Sequence, residues 1–155
     1  MQHPERVPHF VGTVRPAKAL RKDPPGKVAE GSFKKCRHQA EQLRELLLQY
    51  DVRFLALEAP HMGAKSARAL RAMSMGLAYV AGAVADLAVV PIFVRPLDVK
   101  RLVRPRGEVT KDDVREFIGQ LYDGFEDDTK ENSEHYIDAL AVYEFCCMHD
   151  LFVKG

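Results

Sequence analysis

Three side chains stand out as able to hold a cation together: Glu58, His135 and Asp138. Glu58 closes the run Val52 to Leu57 (VRFLAL), near-continuously apolar and read as a strand buried on both faces. The C-terminal end of such a strand is where open α/β sheets place ligands. A carboxylate left there is costly unless it is paired, hydrogen-bonded or bound to a cation. Two readings are open: a metal ligand, or an acid that emerges into solvent or meets a lysine. His135 and Asp138 are three residues apart in SEHYIDALAVYEF, so a helix puts them on one face. Asp138 directly precedes Ala139 to Val142, where the helix becomes core. It is a candidate ligand, or an acid favoured by the helix dipole alone.

Positive charge gathers nearby in the sequence. Arg95, Lys100, Arg101, Arg104 and Arg106 oppose a single acid, Asp98, over twelve residues, and Lys111 follows at a helix start. Such a connector suits contact with a phosphate backbone, which makes binding salt-dependent. A solvated charged loop is the alternative. His61 follows Glu58 closely, and its ring can stack on a base or serve as a plain loop histidine. Cys36, Cys146 and Cys147 are odd in number and unpaired in spacing, so they read as buried thiols rather than a disulfide framework or a zinc site.

The elements that must position these residues follow from periodicity. Phe10 to Val14 (FVGTV) reads as a strand, and residues 15–31, rich in proline and glycine, as a loop or irregular hairpin. Ser32 is expected to cap a helix over 33–49, with Cys36, Ala40, Leu43, Leu47 and Tyr50 on one face. A second helix over 64–87 carries Leu70, Met73, Leu77, Val80, Val84 and Leu87, the clearest periodic signal in the chain. Ala88 to Val94 reads as a second buried strand, bent or at an edge because of Pro91. Thr110 and Asp113 form a capping-box pattern that opens a helix with Val114, Phe117, Ile118, Leu121 and Tyr122 inward. An acidic loop over 126–131 precedes a last helix, capped by Asn132 or Ser133 and running to about Leu151. Alternating helices and strands predict one α/β domain over residues 1–155, with a largely parallel central sheet. The formal charge of +1 means that any basic surface must come from local clustering. No signal peptide is expected, because Met1 to Val14 has no apolar core followed by a small-residue cleavage site, and no membrane span, because Arg71, Asp86 and Pro91 interrupt the most apolar stretch.

These motifs, taken in order, resemble one family. Ala56-Leu57-Glu58, Val99-Lys100 within RPLDVKRLV, TKDDV at 110–114 and IDALAVYEF at 137–145 follow the order and spacing of RuvC-type Holliday junction resolvases, members of the ribonuclease H-like superfamily. The resemblance covers about residues 10–150 and implies a ribonuclease H-like mixed sheet flanked by helices. It implies four metal ligands: an acid in a first strand, then Glu58, His135 and Asp138. It also implies Mg²⁺ or Mn²⁺ as cofactor, phosphate contacts by Lys100 and Lys111, and DNA-binding roles for Arg101, Arg104 and His61. The partner would be branched DNA, the four-way junction, and the helix over 64–87, with Gly76, would build a homodimer. A cytoplasmic, nucleoid-associated protein of bacterial or phage origin is expected.

The first acid of the family has no match. Asp23-Pro24-Pro25-Gly26 is superficially similar, but it follows FVGTV instead of preceding it, and no buried strand can be drawn through its prolines. Either the chain begins late or the ligand has been lost, so activity is an open question. Three functions stand side by side: a metal-dependent structure-selective endonuclease, a non-catalytic branched-DNA-binding domain, and a phage or mobile-element nuclease of relaxed structure specificity. An imidazole at His135 in place of an acid shifts the expected metal preference toward Mn²⁺. No nicotinamide, flavin or nucleotide cofactor is suggested.

Overall fold

A computed structural model describes residues 28–60, 66–122 and 130–153. The described residues form a mixed α/β structure of five α-helices, a short 3₁₀ turn and a two-stranded parallel sheet. FVGTV, Asp23, His61 and most of the acidic loop lie outside them.

Two units can be distinguished among the described residues, one formed by 28–55, 60 and 66–90, the other by 56–59, 91–122 and 130–153. In the former, α1 (Val28–Gln49) packs on α2 (Ala67–Val84). Close approach is possible because small residues meet: a Cβ added at Gly82 would lie 3.6 Å from that of Ala40. The Cys36 thiol donates to the Met75 carbonyl, 3.7 Å away. Arg44 forms a forked ion pair with Asp86. The sequence reading is corrected at two helix starts. α1 begins at Val28, so Gly31 and Ser32 lie inside it. Gly31 is buried, and the Ser32 hydroxyl takes a hydrogen bond from Arg71 instead of capping. α2 begins at Ala67, capped by Ser66, whose hydroxyl accepts from the Ala69 amide at 3.2 Å.

The end of α1 agrees with expectation. Asp51 adopts φ +47°, the left-handed conformation that stops a helix. The Val52 amide reaches back to the Leu47 carbonyl (2.9 Å) and the Asp51 amide to that of Leu48 (3.3 Å), a Schellman closure. The chain then turns directly into β1 (Phe54–Glu58).

β1 pairs with β2 (Val90–Val94). The Val90 amide bonds the Arg53 carbonyl (2.9 Å) and, at the other end, the Ala59 amide bonds the Val94 carbonyl (2.7 Å), so both strands run the same way. The expectation of strands buried on both faces needs correction. Phe54 to Leu57 are half-buried, and Val90 and Phe93 are exposed. Two strands have too few neighbours among the described residues to cover both faces.

The other unit holds a contiguous core. Val94, Val99, Val109, Val114, Ile118, Tyr122, Ile137, Ala141, Val142 and Cys146 are buried together. Each fully buried aliphatic side chain here contributes about 1.5–3 kcal/mol. The residues come mainly from β2, α3 (Pro96–Val103), α4 (Lys111–Leu121) and α5 (Lys130–Met148). α3 falls where the sequence reads as a basic connector. Pro96 suits the first helical position, Asp98 sits in the first turn, and Val99 turns inward. Eight residues are too few for a periodic pattern to show. α5 starts at Lys130, so Asn132 and Ser133 are internal to it, not caps, and it ends at Met148, not near Leu151. Leu70, Leu77 and Leu121, expected inward, are exposed.

Candidate functional site

Three helix stripes and one strand end meet around a cleft of about 230 Å³. Residues three or four apart share a helix face. On α3 that spacing aligns Pro96, Val99 and Lys100; on α4 it aligns Lys111 with Val114; on α5 it aligns Asp138 with Val142. All seven line the cleft, with Thr110 and, from the end of β1, Glu58. Val99, Val114 and Val142 belong to the buried core and make an apolar floor. Glu58, Lys100, Lys111 and Asp138 are exposed and make a charged rim.

The rim is positioned by side-chain contacts at two helix starts. Thr110 opens α4 with the reciprocal pair foreseen from the sequence: its hydroxyl accepts from the Asp113 amide (3.2 Å), and the Asp113 carboxylate accepts from the Thr110 amide (2.8 Å). This fixes the first turn, and hence Lys111. At α3, the Arg95 guanidinium grips the Asp98 carboxylate through two bonds of 2.7 and 2.8 Å. The hydrogen bonds from Arg95 hold the Asp98 carboxyl below the usual carboxylate range, with help from its charge and that of Arg101. The backbone and hydroxyl of Thr110, and then Arg104, do the same for Asp113.

Stability therefore depends on pH with a definite sign. Both carboxyls are lowered in the folded state, so their contribution is complete above the unfolded aspartate value, about 3.9, and is lost as pH falls through the folded values. The melting temperature is expected to fall below about pH 4. Asp98→Asn should lower the midpoint at neutral pH and flatten that fall. An unchanged acid slope in this variant, followed by circular dichroism from neutral pH down into the acid range, would assign the loss to other groups.

The expected site residues divide. Glu58 and Asp138, eighty positions apart in sequence, lie on one cleft wall with Lys100 and Lys111. His135 is exposed on α5, one turn before Asp138, and does not line the cleft. Arg101 is exposed on α3, beside Lys100 but off the wall. Arg104 is held by its own neighbourhood, donating to the Glu108 carbonyl (3.1 Å) and the Asp113 carboxylate (3.3 Å). Among the described residues, no three of His, Cys, Asp and Glu cluster as a metal-holding group.

No protein-family model matches this chain. No curated protein matches it either.

The wall carries two carboxylates and two ammonium groups. Mg²⁺ is commonly held by one or two carboxylates, with water and substrate phosphate filling its other positions. Glu58 and Asp138 are the two carboxylates on this wall. Two further residues were not singled out from sequence. Thr110 read only as a cap, yet it also lines the cleft. Glu144 is fully buried on α5 and accepts a 2.6 Å hydrogen bond from the Tyr122 hydroxyl at the end of α4. An acid inside the apolar run AVYEF is the sequence signal for it.

Proposed function

We propose that the chain is a metal-dependent, structure-selective endonuclease of the RuvC type, with a ribonuclease H-like fold, acting on four-way junctions or other branched DNA. One observation supports this reading most: two carboxylates and two lysines from separate parts of the sequence share the wall of one cleft. Carboxylates beside lysines suit a phosphodiester, whose backbone needs both a cation and ammonium contacts.

In this reading Glu58 and Asp138 hold Mg²⁺ or Mn²⁺, with His135 a turn away as a further candidate ligand. The bound cation supplies Lewis acidity toward the phosphate and lowers the pKa of water. Lys100 and Lys111 hold the backbone on either side, with Arg101, Arg104 and His61 as candidate outer contacts. The apolar floor of Val99, Val114 and Val142 limits water beneath the site. A second copy would dock along α2, which exposes Leu70 and Leu77 and carries Gly76. Among the described residues no helix is long and apolar enough to cross a membrane.

The test uses labelled four-way junction, fork, flap and linear duplex, with Mg²⁺, Mn²⁺ or chelator. The expected result is tighter binding of the junction than of the duplex, and incision that chelator abolishes. Incision of forks and flaps at the junction rate identifies a nuclease of relaxed specificity. Junction binding with no incision in either metal identifies a DNA-binding domain. Equal, weak binding of all four substrates rules out the proposal.

A further inference from the structure

We propose that Arg106, at the tip of the turn joining α3 to α4, is a contact for the phosphate backbone of the DNA bound at the cleft. The inference rests on the DNA-binding part of the endonuclease reading and requires no bound cation.

Lys100 to Gly107 (KRLVRPRG) carries four cations and no acid. The structure sorts them by what each already holds. Arg104 is engaged within the turn itself, donating to the Glu108 carbonyl (3.1 Å) and the Asp113 carboxylate (3.3 Å). Arg101 adds its charge to the field that holds the Asp98 carboxyl low. Just before the stretch, Arg95 is gripped by Asp98 through two bonds. Arg106 differs from all three. It is exposed and has no hydrogen bond or ion pair among the described residues, although Glu108 is two positions away. A guanidinium is always charged and presents donors in a fork that matches phosphate oxygens. It is also more weakly hydrated than an ammonium, so exchanging water for phosphate costs it less.

The backbone beneath Arg106 is held at both ends. The Arg104 amide closes α3 on the Lys100 carbonyl (3.1 Å), and Val109 is buried in the core. Between them, the ring of Pro105 fixes its own φ. Gly107 sits at φ +97°, a conformation that glycine alone adopts freely. The Arg104 side chain then ties the start of the turn to its end at Glu108. A tip fixed in this way loses little freedom when it binds. The turn also joins the two helices that bring Lys100 and Lys111 to the cleft. Arg106 follows the first lysine by six positions and precedes the second by five. It therefore extends the positive edge of the cleft along the connection between them.

The experiment measures binding of the full chain to labelled four-way junction and to linear duplex by fluorescence anisotropy, in chelator, over a series of salt concentrations. The variants are Arg106→Gln, Arg106→Lys, Arg95→Gln and Lys100→Gln. Arg106 is exposed, so its variants should fold, which thermal unfolding checks. Arg106→Gln should weaken binding roughly five- to tenfold near 0.1 M salt, and should lower the slope of log affinity against log salt by about 0.9, the signature of one lost phosphate contact. Junction and duplex should weaken by the same factor, because a phosphate contact carries no information about branching. Arg106→Lys should keep the slope. Arg95→Gln removes the same charge from a residue held by Asp98, and should lower the melting temperature while leaving the slope unchanged. A wild-type slope in Arg106→Gln, with Lys100→Gln impaired, overturns this inference and leaves the endonuclease reading standing. An equal loss of slope in Arg95→Gln also overturns it, since the effect is then one of overall charge. A loss confined to the junction overturns the backbone assignment. Failure of the wild-type chain to bind either DNA removes both the inference and the reading beneath it.

Discussion

On the proposed endonuclease reading, Asp138→Asn is expected to lower metal-dependent junction incision by about a hundredfold or more while leaving the melting temperature almost unchanged. A hundredfold corresponds to about 2.7 kcal/mol of transition-state stabilisation, within the several kcal/mol a correctly held cation supplies. The fold is insulated because Asp138 is exposed at the cleft rim, whereas its helix is anchored by Ile137, Ala141, Val142 and Cys146. The amide keeps the shape and loses the charge. Junction binding in chelator should hold or improve, since one negative charge facing the phosphates is gone. Glu58→Gln should behave alike. His135→Ala, off the cleft wall, should cost less than either. Single-turnover incision in Mg²⁺ and Mn²⁺ measures all three. Wild-type rates for Asp138→Asn would remove this carboxylate from the chemistry.

Tyr122→Phe should destabilise the protein by about 1–3 kcal/mol, because it takes a donor from a fully buried carboxyl group and removing one partner of a buried polar group costs about that much. Tyr122 is the C-terminal cap of α4, and Glu144 lies in the second half of α5. The bond therefore ties together the two helices that carry Lys111 and Asp138. Glu144→Gln, which still accepts from the phenol, should cost less than Tyr122→Phe. Replacing both residues, as Tyr122→Phe with Glu144→Leu, should recover part of the loss, since no buried polar group is then left short of a donor. Urea unfolding of the single and double variants gives the coupling energy. A Tyr122→Phe midpoint equal to that of the wild type would show that the bond is replaced by other contacts of Glu144.

How much of this was readable in advance depended on the range of the interaction. The stop of α1 was legible because Asp51 takes its left-handed turn by local geometry. The start of α4 was legible because Thr110 and Asp113 satisfy each other across three residues. By contrast, α3 was hidden in RPLDVKRLV: one buried face in eight residues looks like a charged loop until Val99 is seen against the core. The start of α1 was misjudged because the prolines and glycines of 15–31 read as a loop, whereas Gly31 lies inside the helix.

For the site, the chain by itself determined which residues could do chemistry: an acid at a strand end, an acid at the edge of a helical apolar face, a lysine in a basic connector and another at a helix start. Those follow from residue type and local period, which act over a few positions. Only the tertiary structure decided that Glu58, Asp138, Lys100 and Lys111 share one wall, that Arg104 is turned to Asp113, and that Glu144 is buried against Tyr122. Those outcomes depend on how buried valines from three helices pack into one floor, a competition among distant segments that no local pattern encodes.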